Sequence, residues 1–123
     1  MNVVVVFVGG GIGAVARYLL QGAVYALTGT GFPYGTLVVN VLGSLVIGIL
    51  MALFEERFLV QPALRLFLAI GILGGFTTFS SFSYETYTLL REGSIGAGVL
   101  NAGVSLVACL GATWIGAVLG KLF

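Results

Sequence analysis

The chain has 123 residues, of which 59% are hydrophobic and 7% charged, with a net charge of +1 and no histidine. A soluble domain carries about 25% charged residues, so this chain has too little polar surface to face water and reads as a membrane protein. The lack of a basic cluster excludes nucleic-acid binding through phosphate neutralisation, the lone Cys109 excludes an internal disulfide, and no set of His, Cys and carboxylates can be assembled into a metal centre.

A transmembrane helix needs roughly 20 apolar residues, and four stretches supply them, at about 3–27, 36–54, 62–90 and 95–119. The sequence shows no linker, low-complexity tail, second domain or internal repeat, so 1–123 reads as a single transmembrane domain. The first span opens on VVVVFV. No charge beyond the amino terminus precedes that run, and Arg17 interrupts it, so it reads as a retained span and not as a signal peptide. Within VVVVFVGGGIGAVAR, Gly9, Gly11 and Ala14 satisfy a loose GxGxxA pattern. A dinucleotide site also needs an acidic residue about 20 positions on, and the first acid here is Glu55. The glycines are therefore read as helix packing. Arg17 sits near the middle of the span, where a charge must face a cavity or a partner. It serves either as a helix anchor or as a ligand-facing cation.

The segment TGTGFPYG, with Pro33, is a turn. In the second span Thr36, Asn40 and Ser44 share one helix face at i, i+4 and i+8, and the span stops at Glu55, Glu56 and Arg57. Pro62 suits the first turn of the third span, which ends at Arg91, Glu92 and Gly93. Its centre, GILGGFTTFSSFSYETYTLL, places a glycine pair and a row of hydroxyls in the membrane. Gly74 and Gly75 are poor helix formers, and Thr77 and Thr78 can bond local backbone in place of the helical ladder. A broken helix is expected near residues 74–78. Free backbone groups at that depth are tolerated only inside protein or beside water, and such breaks commonly hold ions. Beyond the break Phe79 and Phe82 share one face, and Ser81, Glu85 and Thr88 another. A phenyl edge is positive and can favour an anion; the alternative is that the two rings are ordinary packing.

In the fourth span Asn101, Ser105, Cys109 and Thr113 again fall on one face. Two Asn-headed polar stripes suggest a hydrated path, with helix–helix hydrogen bonding as the alternative. The pairs Gly9/Gly13, Gly71/Gly75 and Gly116/Gly120 are small-xxx-small motifs that join helices within a subunit or between subunits. If the amino terminus, the 55–65 loop and the carboxyl terminus share a side, that side carries Arg57, Arg65 and Lys121 against Arg91 on the other. The positive-inside rule then gives only a weak orientation bias, which leaves room for insertion both ways.

GGFTTFSSFSYE resembles the third-span motif of the Fluc (CrcB) fluoride channels. GTLVVNVLGSLVIG resembles their second span, GAVARY their first and NAGVSLVACLGA their fourth, in the same order over essentially the whole chain. The resemblance implies an all-α membrane protein, an antiparallel dual-topology homodimer of four-helix subunits in the inner membrane of a microbe. It implies passive fluoride export and fluoride resistance through two pores, with one Na+ buried at the two-fold axis. Carried over residue by residue, Phe79 and Phe82 would meet fluoride with their ring edges and Asn40 would donate a hydrogen bond. Ser81 and Ser105 would belong to a polar track, flanked by Thr78, and Glu85 would lie in a vestibule. Main-chain carbonyls of Gly74 and Thr77 would hold the Na+, and Arg17 would be structural or electrostatic. Phe76 stands where the resemblance leads one to expect a smaller aliphatic residue. The competing class is a proton-coupled small multidrug exporter, also four-helical, which needs an intramembrane carboxylate; the first span has none. A passive assembly subunit is the third. An enzyme is not expected, since no nucleophile–base pair can be assembled.

Overall fold

The computed structural model describes residues 1–56 and 61–122, and the described residues form helices joined by short turns, with no strand among them. Arg57, one of the residues in the orientation argument, lies outside the described residues. Helix α1 spans Asn2–Thr28 and α2 spans Tyr34–Glu56. The third span begins as α3, Pro62–Arg65, widens into a π-helical segment, Leu66–Leu73, and returns to α geometry in the short α4, Gly74–Phe76. After two extended residues it resumes as α5, Phe79–Arg91; α6 covers Ile95–Leu122. Four stretches are thus long and apolar enough to cross a membrane, and the third is interrupted.

The turns follow local chemistry. Gly29 ends α1 at φ 76°, a left-handed conformation that glycine adopts without penalty, and its N–H returns to the Tyr25 carbonyl. Gly93 does the same after α5 at φ 87°. Pro62 occupies the first turn of α3, where a missing N–H costs nothing.

The burial pattern is that of a protein solvated by lipid. Phe7 is 80% exposed and Trp114 76%, whereas the buried apolar cluster is small: Val39, Leu73 and Phe76, with Ala16, Leu20 and Val46 against it. Apolar side chains gain little by leaving lipid for one another, so close backbone approach must hold the helices together. The glycine pairs do this within one chain. A Cβ on Gly9 would lie 2.8 Å from the Phe67 carbonyl oxygen, and one on Gly13 would overlap the Ile72 carbonyl. Gly71 and Gly75 present the matching face: a Cβ on the former would lie 3.0 Å from Gly9 Cα, and one on the latter would overlap the Gly10 carbonyl. Helix α1 therefore backs directly onto the π-helical segment and α4. Gly116 and Gly120 seat α6 on α2 at the Leu45 and Ile49 carbonyls. Of the two uses open to these motifs, all three pairs are spent inside the subunit.

Candidate functional site

The interruption of the third span is the feature that builds the site. Gly74 stays helical, at φ −62° and ψ −37°, and acts as no breaker. The chain leaves the helix two residues later than the glycines suggest. Thr77 sits at φ −84° and ψ 154°, and Thr78 at φ −147° and ψ 115°. The threonines make this stable by diverting hydrogen bonds. Thr78 Oγ1 accepts from the Ser81 N–H at 3.1 Å and caps α5. Thr77 Oγ1 donates back to the Leu73 carbonyl at 3.0 Å. Gly75 is required for a different reason, its close contact with α1.

Asn40 closes the gap from α2. Its Nδ2 donates to the Thr78 carbonyl at 2.9 Å, and its Oδ1 accepts the Thr78 N–H at 2.8 Å. The side-chain amide stands in for the peptide partner that a helix would have given. Arg17, from α1, donates its Nε to the Gly75 carbonyl at 3.3 Å. The first-span charge is thereby placed at the break, among backbone carbonyls.

The break deprives the carbonyls of residues 74–77 of their helical donors, Gly74 and Thr77 among them, and Arg17 takes up that of Gly75. In an unbroken helix the Thr78 N–H would donate to the Gly74 carbonyl and the Ser81 N–H to the Thr77 carbonyl. Here those two donors go to Asn40 and to Thr78 Oγ1. Gly74 and Thr77 are the residues whose carbonyls the resemblance assigns to Na+. Neutral oxygens released from an unwound helix suit a hard monovalent cation. Among the described residues no group of three or more His, Cys, Asp or Glu could hold a metal instead.

An open cleft of about 390 Å³ lies beside the break, lined by Asn40, Gly74, Thr77, Thr78, Phe79, Phe82 and Ser105, with Leu106 and Cys109 behind. Phe79 and Phe82 meet at 5.4 Å between centroids, tilted by 48°. Phe79 is 79% exposed, so the cleft is open on its side. Among the described residues no Lys or Arg lines it. What it offers an anion is neutral: one N–H of the Asn40 amide beyond the one given to Thr78, hydroxyls, and ring edges.

Ser81 and Glu85 lie elsewhere. They line a second cleft, of about 370 Å³, with Gln21, Tyr25, Thr36, Ser80 and Tyr84. Glu85 accepts from Thr36 Oγ1 at 2.6 Å and from the Tyr25 hydroxyl at 3.1 Å, and Gln21 Nε2 donates to Thr36 Oγ1 at 3.1 Å. The two clefts are joined through hydroxyls, since Thr78 Oγ1 and Ser80 Oγ lie 3.3 Å apart. The seven residues expected at a pore thus divide, with five in one cleft and two in its neighbour. Gln21 and Tyr25 escaped the sequence reading. The signal was present, because Arg17, Gln21 and Tyr25 repeat the i, i+4, i+8 spacing read in the second and fourth spans.

The fourth-span stripe faces inward. Asn101 is 2% exposed and Ser105 7%. Asn101 Nδ2 donates to Thr86 Oγ1 at 2.9 Å, Thr86 Oγ1 donates to the Phe82 carbonyl at 2.8 Å, and Ser105 Oγ donates to Asn101 Oδ1 at 3.4 Å. Thr113 Oγ1 reaches the Ser44 carbonyl at 3.2 Å, joining α6 to α2. Helix–helix bonding and a cleft lining are therefore both present along one stripe.

Residues 4–117 match the CrcB-like protein family, described as Camphor Resistance (CrcB). The chain belongs to that family. Among its relatives is a fluoride-specific ion channel FluC of Geobacter sulfurreducens, 50% identical over 94% of this chain and 93% of the relative. One from Magnetococcus marinus, under the same name, is 48% identical over 99% of both chains. A third, from Hydrogenovibrio crunogenus, is 46% identical over 100% of this chain and 93% of its own. With its four apolar helices, this CrcB-like chain is a multi-pass membrane protein.

Proposed function

We propose that the chain is a fluoride-selective channel that exports fluoride passively, working as an antiparallel dual-topology homodimer with two pores. The observation that carries this reading is the cleft itself. An unwound segment, a donor amide, hydroxyls and a pair of phenyl rings converge on a cleft that no Lys or Arg among the described residues lines. Fluoride is small and strongly hydrated, so a pore must replace its water with donors. A lysine or arginine at the narrowest point would bind too tightly for exit, whereas weak serial sites favour throughput. The relatives named as fluoride channels over nearly the full chain support the same reading.

In this reading Asn40, Thr78 and Ser105 donate to the ion, and Phe79 and Phe82 supply weak positive field. The ion passes through the Thr78–Ser80 hydroxyls to the vestibule of Ser81 and Glu85. The Gly74 and Thr77 carbonyls hold Na+ together with those of a second copy. When bound, Na+ supplies a fixed positive charge that offsets the anion's cost of crossing. Two carbonyls per chain are too few for a cation alone, and the cleft on one chain is open on one side; a second copy supplies both. The test is fluoride-electrode efflux from liposomes containing the purified protein, with chloride as control. Selective, passive fluoride efflux is expected. Proton-coupled drug movement, or no movement at all, would refute the reading.

A further inference from the structure

The hydrogen bonds around Asn101 fix the direction of a proton at the cleft. The Phe82 carbonyl can only accept, so Thr86 must give its single hydroxyl proton to it. Thr86 Oγ1 can then only accept from Asn101, which turns Nδ2 toward Thr86 and leaves Oδ1 toward Ser105. An amide oxygen cannot donate, so the Ser105 proton points at Asn101 and away from the cleft that Ser105 lines. The hydroxyl at rest thus shows the cleft its lone pairs, the wrong end for an anion. At 3.4 Å the bond that holds it is long. An arriving ion can therefore draw the proton round, but it must first break that bond.

We propose that Asn101, oriented by Thr86, is a positioning residue that weakens fluoride binding at Ser105 by holding the serine proton out of the path. The inference rests on the channel reading above. Its use would be kinetic, because a site that must first lose a hydrogen bond binds more loosely and releases faster.

The test measures the fluoride dependence of flux through the full-length protein in lipid membranes. Asn101→Leu removes the acceptor at similar volume. The half-saturating fluoride concentration is expected to fall by roughly two- to tenfold, the scale of one neutral hydrogen bond that no longer has to be broken, with a lower maximal flux. Thr86→Val, which frees the amide to turn and also removes the hydroxyl bond to the Phe82 carbonyl, should shift it in the same direction by less, and Thr86→Ser, which keeps both bonds, should leave the original value. Adding Ser105→Ala to Asn101→Leu should abolish the shift. A conducting Asn101→Leu or Thr86→Val channel with an unchanged or raised half-saturating concentration would overturn the inference, as would a shift that persists without the Ser105 hydroxyl. A native protein that passes no fluoride would refute the channel reading instead, so the two failures are distinct.

Discussion

Asn40→Asp replaces a single nitrogen by oxygen at the clamp on Thr78. The new carboxylate still accepts the Thr78 N–H, now at 2.8 Å from Oδ1. It cannot donate to the Thr78 carbonyl, so two acceptor oxygens would face each other where a 2.9 Å hydrogen bond stood. Losing that bond and setting a carboxylate oxygen against the part-buried Thr78 carbonyl costs about 1–3 kcal/mol, and an unpaired part-buried charge adds to it. Each 1.4 kcal/mol is about a factor of ten in population, so the ordered break should become roughly ten- to a hundredfold less favoured. Fluoride efflux should fall by about tenfold or more, chiefly because an anion then stands in the path. Asn40→Leu, which strips both bonds, should destabilise the fold more, by roughly 2–6 kcal/mol, although it adds no charge. Efflux assays and thermal unfolding in detergent separate the two effects. At acidic pH the introduced carboxyl takes up a proton and regains a donor, so the unfolding temperature of Asn40→Asp should rise as pH falls, while that of Asn40→Leu should not. Native efflux and native stability in Asn40→Asp would refute both the clamp and the pore role.

Phe82→Ile should leave a folded protein whose fluoride efflux is cut by roughly ten- to a hundredfold, since an aliphatic chain has no positive edge to offer; unchanged efflux in liposomes would remove the ring from the path. Gly75→Ala should unseat α1, because the added methyl overlaps the Gly10 carbonyl, a backbone atom that cannot turn aside. The loss should be about 1–3 kcal/mol, seen as a lower unfolding temperature, whereas Gly111→Ala, which meets nothing within 4 Å, should be neutral. Replacing Na+ by a bulky organic cation should lower both thermal stability and fluoride flux, with recovery on adding Na+ back, if the freed carbonyls hold that ion.

The parts of this architecture that were legible in the sequence are those governed by local chemistry. Hydropathy marks four spans, TGTGFPYG and REG mark turns, and Pro62 marks a helix start; the helices run at most three residues beyond the expected limits at any end. The interruption was also legible, with Thr77 and Thr78 among its expected agents, but the helical state of the two glycines was not. Propensity points to Gly74 and Gly75, yet both remain helical because α1 needs Gly75 for close contact, and the departure comes from Thr77 and Thr78. That choice depends on Asn40, 38 residues away in sequence, and no local rule reports it. The π-helical widening of Leu66–Leu73 is likewise silent in an apolar run with no capping or turn residue to mark it. Ser81 and Glu85 share a helix with Phe82, but helical rotation carries them to a different cleft with Gln21 and Tyr25.

The unroofed break has a consequence for the cell as well as for the ion. In hydrocarbon a carbonyl without a donor has no water to turn to, and each costs several kcal/mol. Gly74 lies exposed on the single chain, with its helical donor given away to Asn40. Under the homodimer proposed above, a solitary copy diluted in the bilayer would be a strained intermediate, open to local unwinding and degradation. Abundance of the protein should then respond more than proportionally to its rate of synthesis, with scarce copies cleared before they meet.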